Sequence, residues 1–172
     1  MAPAASAGFR RPPAPRRHNA GMNTLAERLG TRWPLIQAPM AGSQGSALAL
    51  AVGAAGALGS LPGALLAPEA LRAELARLAA SGLPYNVNFF CHVPPAPDAA
   101  ADTTWRAALA PYYREFGLDA SAVPAGPGRV PFSAAAAELL AEFRPPVVSF
   151  HFGLPAPELL AQVKRWGALV LS

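Results

Sequence analysis

The feature that most narrows the fold is a rhythm of short apolar runs, each leading into a helix-forming stretch. Runs begin near Leu35, Ala57 and Tyr85, two to three dozen residues apart, and resume at Val147 and Ala168. That interval is the size of a βα unit, so the rhythm predicts parallel strands joined by crossover helices. The helix signals between the runs agree with it. Small residues fill Ser46 to Ala55. Pro68 stands where a helix can begin, with Glu69 favourable in the first turn, and Leu71, Leu75 and Leu78 recur at i, i+4 and i+7. Gly82 is a natural stop. Ser133 predicts the cap of an alanine-rich helix through Glu142, Pro145-Pro146 ends it, and a last helix spans Pro157 to Trp166.

The first run carries the most information. Leu35-Ile36-Gln37-Ala38-Pro39-Met40-Ala41-Gly42 reads as a buried strand ending in a turn that exposes its backbone. Pro39 lacks an N–H and ends the ladder, while Gly42 permits close approach by a flat or charged ligand. In parallel α/β proteins ligands gather at the carboxyl ends of strands. The same residues also suit a plain strand-to-helix turn.

Residues 91–132 interrupt the rhythm. They hold Pro94-Pro95, a helical segment from about Asp102 to Phe116, and a Gly/Pro loop from Pro124 to Pro131. An insertion here would either cover an active site or pad the surface.

Composition sets outer bounds. The chain has 172 residues, is 52% hydrophobic and carries 14% charged residues, enough for a real core. Its net charge of +4 comes from Arg10, Arg11, Arg16 and Arg17; the ten other basic residues balance ten acidic ones. No basic stripe with interleaved aromatics points to nucleic acid. The longest apolar stretch, Ala47 to Leu66, is broken by glycines and Pro62, so no membrane span is expected. Residues 1–23 read as a disordered Ala/Pro/Arg-rich tail, with a transit peptide or a start at Met22 as alternatives. Cys91 is the one cysteine, which fits a reducing, cytoplasmic setting. His92 beside it lacks two further ligands, so no metal site is expected. Ala54 to Ser60 imitates a dinucleotide fingerprint but enters a strand rather than leaving one.

Two polar residues stand on apolar strands. Asn88, late in Tyr85-Asn86-Val87-Asn88-Phe89-Phe90, has an amide suited to a flavin edge or a phosphate oxygen, or to stabilising a turn. His151, between Phe150 and Phe152, faces opposite to both by strand alternation. By itself it suits a satisfied core histidine.

In order along the chain stand Gln-Ala-Pro-Met-Ala-Gly (37–42), Leu-Gly-Ser-Leu-Pro (58–62), Asn-Phe-Phe-Cys-His (88–92) and Val-Ser-Phe-His-Phe-Gly (148–153). Together they resemble the nitronate monooxygenase (2-nitropropane dioxygenase) family over residues 24–172. The resemblance implies an α/β fold of the (β/α)8 TIM-barrel type, apparently truncated after about the fifth strand. A smaller doubly wound fold is the structural rival. It implies FMN as cofactor, with backbone at Ala38, Pro39 and Met40 lining the ring and Asn88 contacting it. His151 would lie near the substrate. The implied reaction oxidises an alkyl nitronate with O2 to a carbonyl compound and nitrite. The family's acid/base histidine, in a Gly-Gly-His segment, and much of its phosphate site have no counterpart here, so His151 is not assigned as the base. A flavin-dependent enoyl-thioester reductase of the same superfamily is the enzymatic alternative. A non-catalytic half-barrel fragment, with a homodimer formed through open sheet edges, is the other.

Overall fold

A computed structural model describes residues 24–119, 122 and 130–172. The tail and most of the Pro124–Pro131 loop lie outside the described residues. Ten elements follow one another: α1 (Leu25–Leu29), α2 (Ser46–Ala54), β1 (Gly59–Pro62), α3 (Pro68–Ala80), β2 (Tyr85–Phe90), α4 (Ala99–Glu115), α5 (Ala134–Phe143), β3 (Val147–His151), α6 (Pro157–Arg165) and β4 (Leu169–Leu171). The strands form one parallel sheet in the order β1-β2-β3-β4. This is the α/β architecture expected from the rhythm.

The sheet's two faces differ in kind. Leu61, Tyr85, Val87, Phe89, Val148 and Phe150 point toward the helices, where they join Leu71, Leu75 and Leu78 of α3, Leu139 and Leu140 of α5 and Val163 of α6 in the main core. The leucine stripe of α3 is thus a core stripe, and Ser133 caps α5 by accepting from Ala136 N–H at 3.3 Å. Alternation sends the next residues to the opposite face. At the strands' amino ends that face is apolar: Leu58 and Val147 pack on Leu29 of α1, with Leu169 and Leu171 against them.

The first expected strand requires correction. Leu35–Ile36 is extended but makes a single parallel bridge, Ile36 to Leu58, and it is not buried: Leu35 is 56% and Ile36 36% exposed. The reason lies one residue on. Gln37 N–H donates to Leu58 O at 2.9 Å, but Ser60 N–H is taken by the side-chain Oε1 of Gln37, also at 2.9 Å. A side chain replaces the backbone acceptor that a continuing strand would provide, and Pro39 has no N–H with which to resume. Gly42 does adopt positive φ, +81°.

The insertion also differs in extent from its sequence reading. Its helix starts three residues early, because Asp98 caps it by accepting from Ala100 and Ala101 N–H at 3.0 Å. α4 buries none of its residues; Trp105, Tyr112 and Phe116 are all exposed. The chain returns to the core at Phe132, whose N–H donates to Phe90 O at 2.8 Å and whose ring lies 4.9 Å from Phe89 and 5.1 Å from Phe150.

Candidate active site

The face turned away from α3, α5 and α6 carries the candidate site residues. Strand register aligns its residues in rows from the amino to the carboxyl end: Ser60, Asn86, Val147 and Leu169, then Pro62, Asn88, Ser149 and Leu171, then Phe90 and His151. The rows contain no Lys, Arg, Asp or Glu. Asn88 and His151 stand on adjacent strands of this one face, with His151 one row nearer the carboxyl end.

The first two rows form a buried amide–hydroxyl network across three strands. Asn86 Nδ2 donates to Ser60 Oγ at 3.0 Å and to Ser149 Oγ at 2.9 Å. Asn88 Nδ2 donates to Ser149 Oγ at 2.9 Å and to the Ser149 carbonyl at 3.2 Å. All four residues are buried. Asn86 Oδ1 is left without a partner, an unmet demand that needs a reason in a buried site.

At the carboxyl ends the face becomes aromatic. His151 is exposed, and its ring stacks on Phe90 at 6.4 Å between centroids. Phe152 corrects the alternation argument. It does not lie with Phe150 on the helical side, because the strand stops at His151 and Phe152 turns through φ +66°. Its ring meets Phe90 at 5.2 Å, His92 at 6.3 Å and His151 at 6.3 Å. A bulky side chain at positive φ is strained, by about 1–3 kcal/mol. His92 therefore lines this aromatic cluster, and among the described residues no group of three His, Cys, Asp or Glu could hold a metal. Cys91 is half-buried, which pushes its thiol pKa up and away from thiolate character.

The turn Ala38–Met40 flanks β1. The Ala38 carbonyl accepts from the Gln37 side-chain amide and from Gln44 Nε2 at 3.3 Å, and Gln44 Nε2 also reaches Ser60 O at 3.1 Å. Gln37 Nε2 donates to Gln44 Oε1 at 2.8 Å. Two glutamines thus lock the turn onto β1. Met40 is exposed and Pro39 half-buried beside it.

Sequence reading singled out Asn88 and His151 and passed over Asn86, Ser149, Ser60, Gln37 and Gln44, which the structure places around them. One signal was available: Asn86 shares strand parity with Asn88, and Ser149 shares it with His151. The partners of Gln37 and Gln44 are set by tertiary contact and leave no such mark.

Fold and site together define a parallel α/β protein with an uncharged polar face at the carboxyl ends of its strands. The family model described as nitronate monooxygenase matches residues 23–172, and the chain belongs to the nitronate monooxygenase family, a family of enzymes. It is 39% identical over 158 residues to a nitronate monooxygenase of Paraburkholderia phytofirmans, covering 88% of this chain and 42% of the relative. It is 37% identical over 152 residues to one of Pseudomonas aeruginosa, covering 83% and 41%. The chain therefore spans about two fifths of the length of these relatives. Among solved structures it resembles a nitroalkane oxidase from Streptomyces ansochromogenes, with TM-score 0.67 and 32% identity over 82% of this chain and 40% of that one. A FabK mutant from Thermotoga maritima shares the fold, with TM-score 0.58 at 20% identity.

Proposed function

We propose that the chain forms one wall of an FMN site in an enzyme that oxidises alkyl nitronates with O2 to a carbonyl compound and nitrite. The observation that carries this reading is the placement of Asn88 and His151, on adjacent strands of one uncharged face at the strands' carboxyl ends. That face fits the ring of a flavin. A neutral heteroaromatic with polar edges calls for convergent amides and hydroxyls beside aromatic surface. Asn86, Asn88 and Ser149 supply the former, Phe90 and Phe152 the latter.

Asn88 would hold the cofactor, the backbone at Ala38, Pro39 and Met40 would line it, and His151 would orient substrate at the exposed end of β3. His151 is assigned no proton. When bound, FMN supplies the redox chemistry; the protein supplies orientation and electrostatics. The small cluster of Leu29, Leu58 and Val147 closes the amino-end side of the network against water. Substrate and O2 are small molecules, and neither nucleic acid nor membrane is a partner in this reading. No described helix is long and apolar enough to cross a membrane. We place the protein in the cytoplasm and allow it a homodimer. The enoyl-thioester reductase reading has no residue-level support here, since the FabK likeness shows the fold alone.

The test is the visible spectrum of the desalted 172-residue chain, followed by nitrite release from ethyl nitronate. Near-equimolar flavin bands with nitrite formation are expected. A colourless chain that releases no nitrite, with FMN added, would overturn the reading for this chain.

A further inference from the structure

We propose that Ser149 is a positioning residue that fixes the amide of Asn88, so that Asn88 offers its ligand only a carbonyl oxygen and takes a hydrogen-bond donor in return. The proposal rests on the reading of Asn88 as a cofactor contact.

The main-chain oxygen of Ser149 only accepts, so the Asn88 side-chain atom 3.2 Å away is the NH2 and not the oxygen. The same nitrogen reaches Ser149 Oγ at 2.9 Å. Its two hydrogens meet two acceptors, both on the residue paired with it across β2 and β3. Turning the amide over would set Oδ1 against the carbonyl oxygen, two acceptors face to face in a buried site. Ser149 is itself held. Its Oγ also accepts from Asn86 Nδ2, which is braced by Ser60 Oγ on the far strand. A hydroxyl accepting twice has no lone pair left for a ligand.

What remains of Asn88 is an acceptor. It cannot bind a phosphate oxygen, and no Lys or Arg shares its rows to do so instead. An oxidised flavin carries such donors as the imide N–H of its ring and the hydroxyls of its ribityl chain. Either satisfies Asn88. Asn88 itself thus selects the neutral part of the cofactor.

The test is side-chain amide NMR on the 15N-labelled 172-residue chain, with the Asn88 pair assigned through Asn88→Asp. In the unliganded chain the Asn88 NH2 should exchange with water far more slowly than the side-chain amide of free asparagine. Ser149→Ala should speed that exchange by about tenfold or more, the worth of one buried hydrogen bond, and Ser149→Thr should restore it. Ser149→Cys, a poor acceptor of similar size, carries the same expectation where the alanine variant does not fold. Fast exchange in the wild type overturns the clamp. Riboflavin, which has no phosphate, should shift the Asn88 resonances, and inorganic phosphate should not. Ser149→Ala should weaken riboflavin by about tenfold, with recovery in Ser149→Thr. Riboflavin affinity unchanged in Ser149→Ala overturns the positioning role, and phosphate shifting Asn88 overturns the donor rule. Comparison with 3-methylriboflavin separates the imide from the hydroxyls. Slow, Ser149-dependent exchange with no riboflavin binding would overturn the flavin reading while leaving the clamp in place.

Discussion

Among the described residues, two buried side-chain polar atoms lack a hydrogen-bond partner, Tyr85 Oη and Asn86 Oδ1, and they sit on neighbouring residues that face opposite sides of β2. Their meanings differ with the face. Tyr85 points into the helical core, where burial pushes its phenol pKa up from 10.0 to about 12. An unpaired hydroxyl there costs about 1–3 kcal/mol, so Tyr85→Phe should raise the urea midpoint. The raised pKa gives the linkage a definite sign. The core tolerates the neutral phenol but not the phenolate, so stability is independent of this group below pH 10.0 and is lost as pH rises from there toward about 12. Tyr85→Phe should remove this part of the alkaline loss, as urea titrations across that range would show. Asn86 lies on the opposite, site face, where its amide braces Ser149. Asn88 and His151 were legible in the sequence because motif and strand position marked them. Asn86 and Ser149 carry the same parity signal but gain meaning only from each other, across two strands distant in sequence.

At the scale of elements, two contacts fix α2 against its neighbours. Its N-cap, Gly45, has no side chain, and Glu74 of α3 caps it instead by accepting from Ser46 N–H at 2.5 Å. Hydrogen bonding from Ser46, and then the Arg77 charge, hold the Glu74 carboxyl below its usual pKa. A lowered folded pKa means stability that is present above the unfolded value and lost as pH falls through the folded one. Glu74→Ala should therefore cost about 1 kcal/mol at neutral pH, and the penalty should fade in acid, as urea midpoints at both pH values would report. The second contact is Gly59. A Cβ there would lie 2.0 Å from the Ala49 carbonyl oxygen, a backbone atom of α2. Gly59→Ala should cost about 3 kcal/mol by overpacking, measurable as a lower thermal midpoint. α4 behaves differently. It has an apolar stripe but buries nothing, so Trp105→Ala and Phe116→Ala should each shift stability by no more than about 0.5 kcal/mol in urea unfolding. That a helix stands here was legible; whether its apolar side chains pack was not, because packing depends on what lies opposite.

On the scale of the whole molecule, one sheet serves two environments. Its helical face holds the main core, and its other face is closed at the amino ends by Leu29 of α1, polar in its first two rows and aromatic at the carboxyl ends. Because both clusters share the same strands, removing the smaller one should weaken the whole. Leu29→Ala should cost about 2–5 kcal/mol, with fluorescence and circular dichroism still tracing one coincident transition. By itself the sequence determined the parallel α/β class, the alternation of helices and strands from α2 to β4, and the α3 core stripe, since period and punctuation are local properties of the chain. It marked Asn88 and His151 as well. Only the tertiary structure decided that the first run makes a single bridge, because the Gln37 side chain takes the Ser60 N–H. It alone placed Phe152 beside His151 through a strained turn, and it alone joined Ser60, Asn86, Asn88 and Ser149 into one network. Register between strands brings those residues together, and register is a property of the assembled sheet.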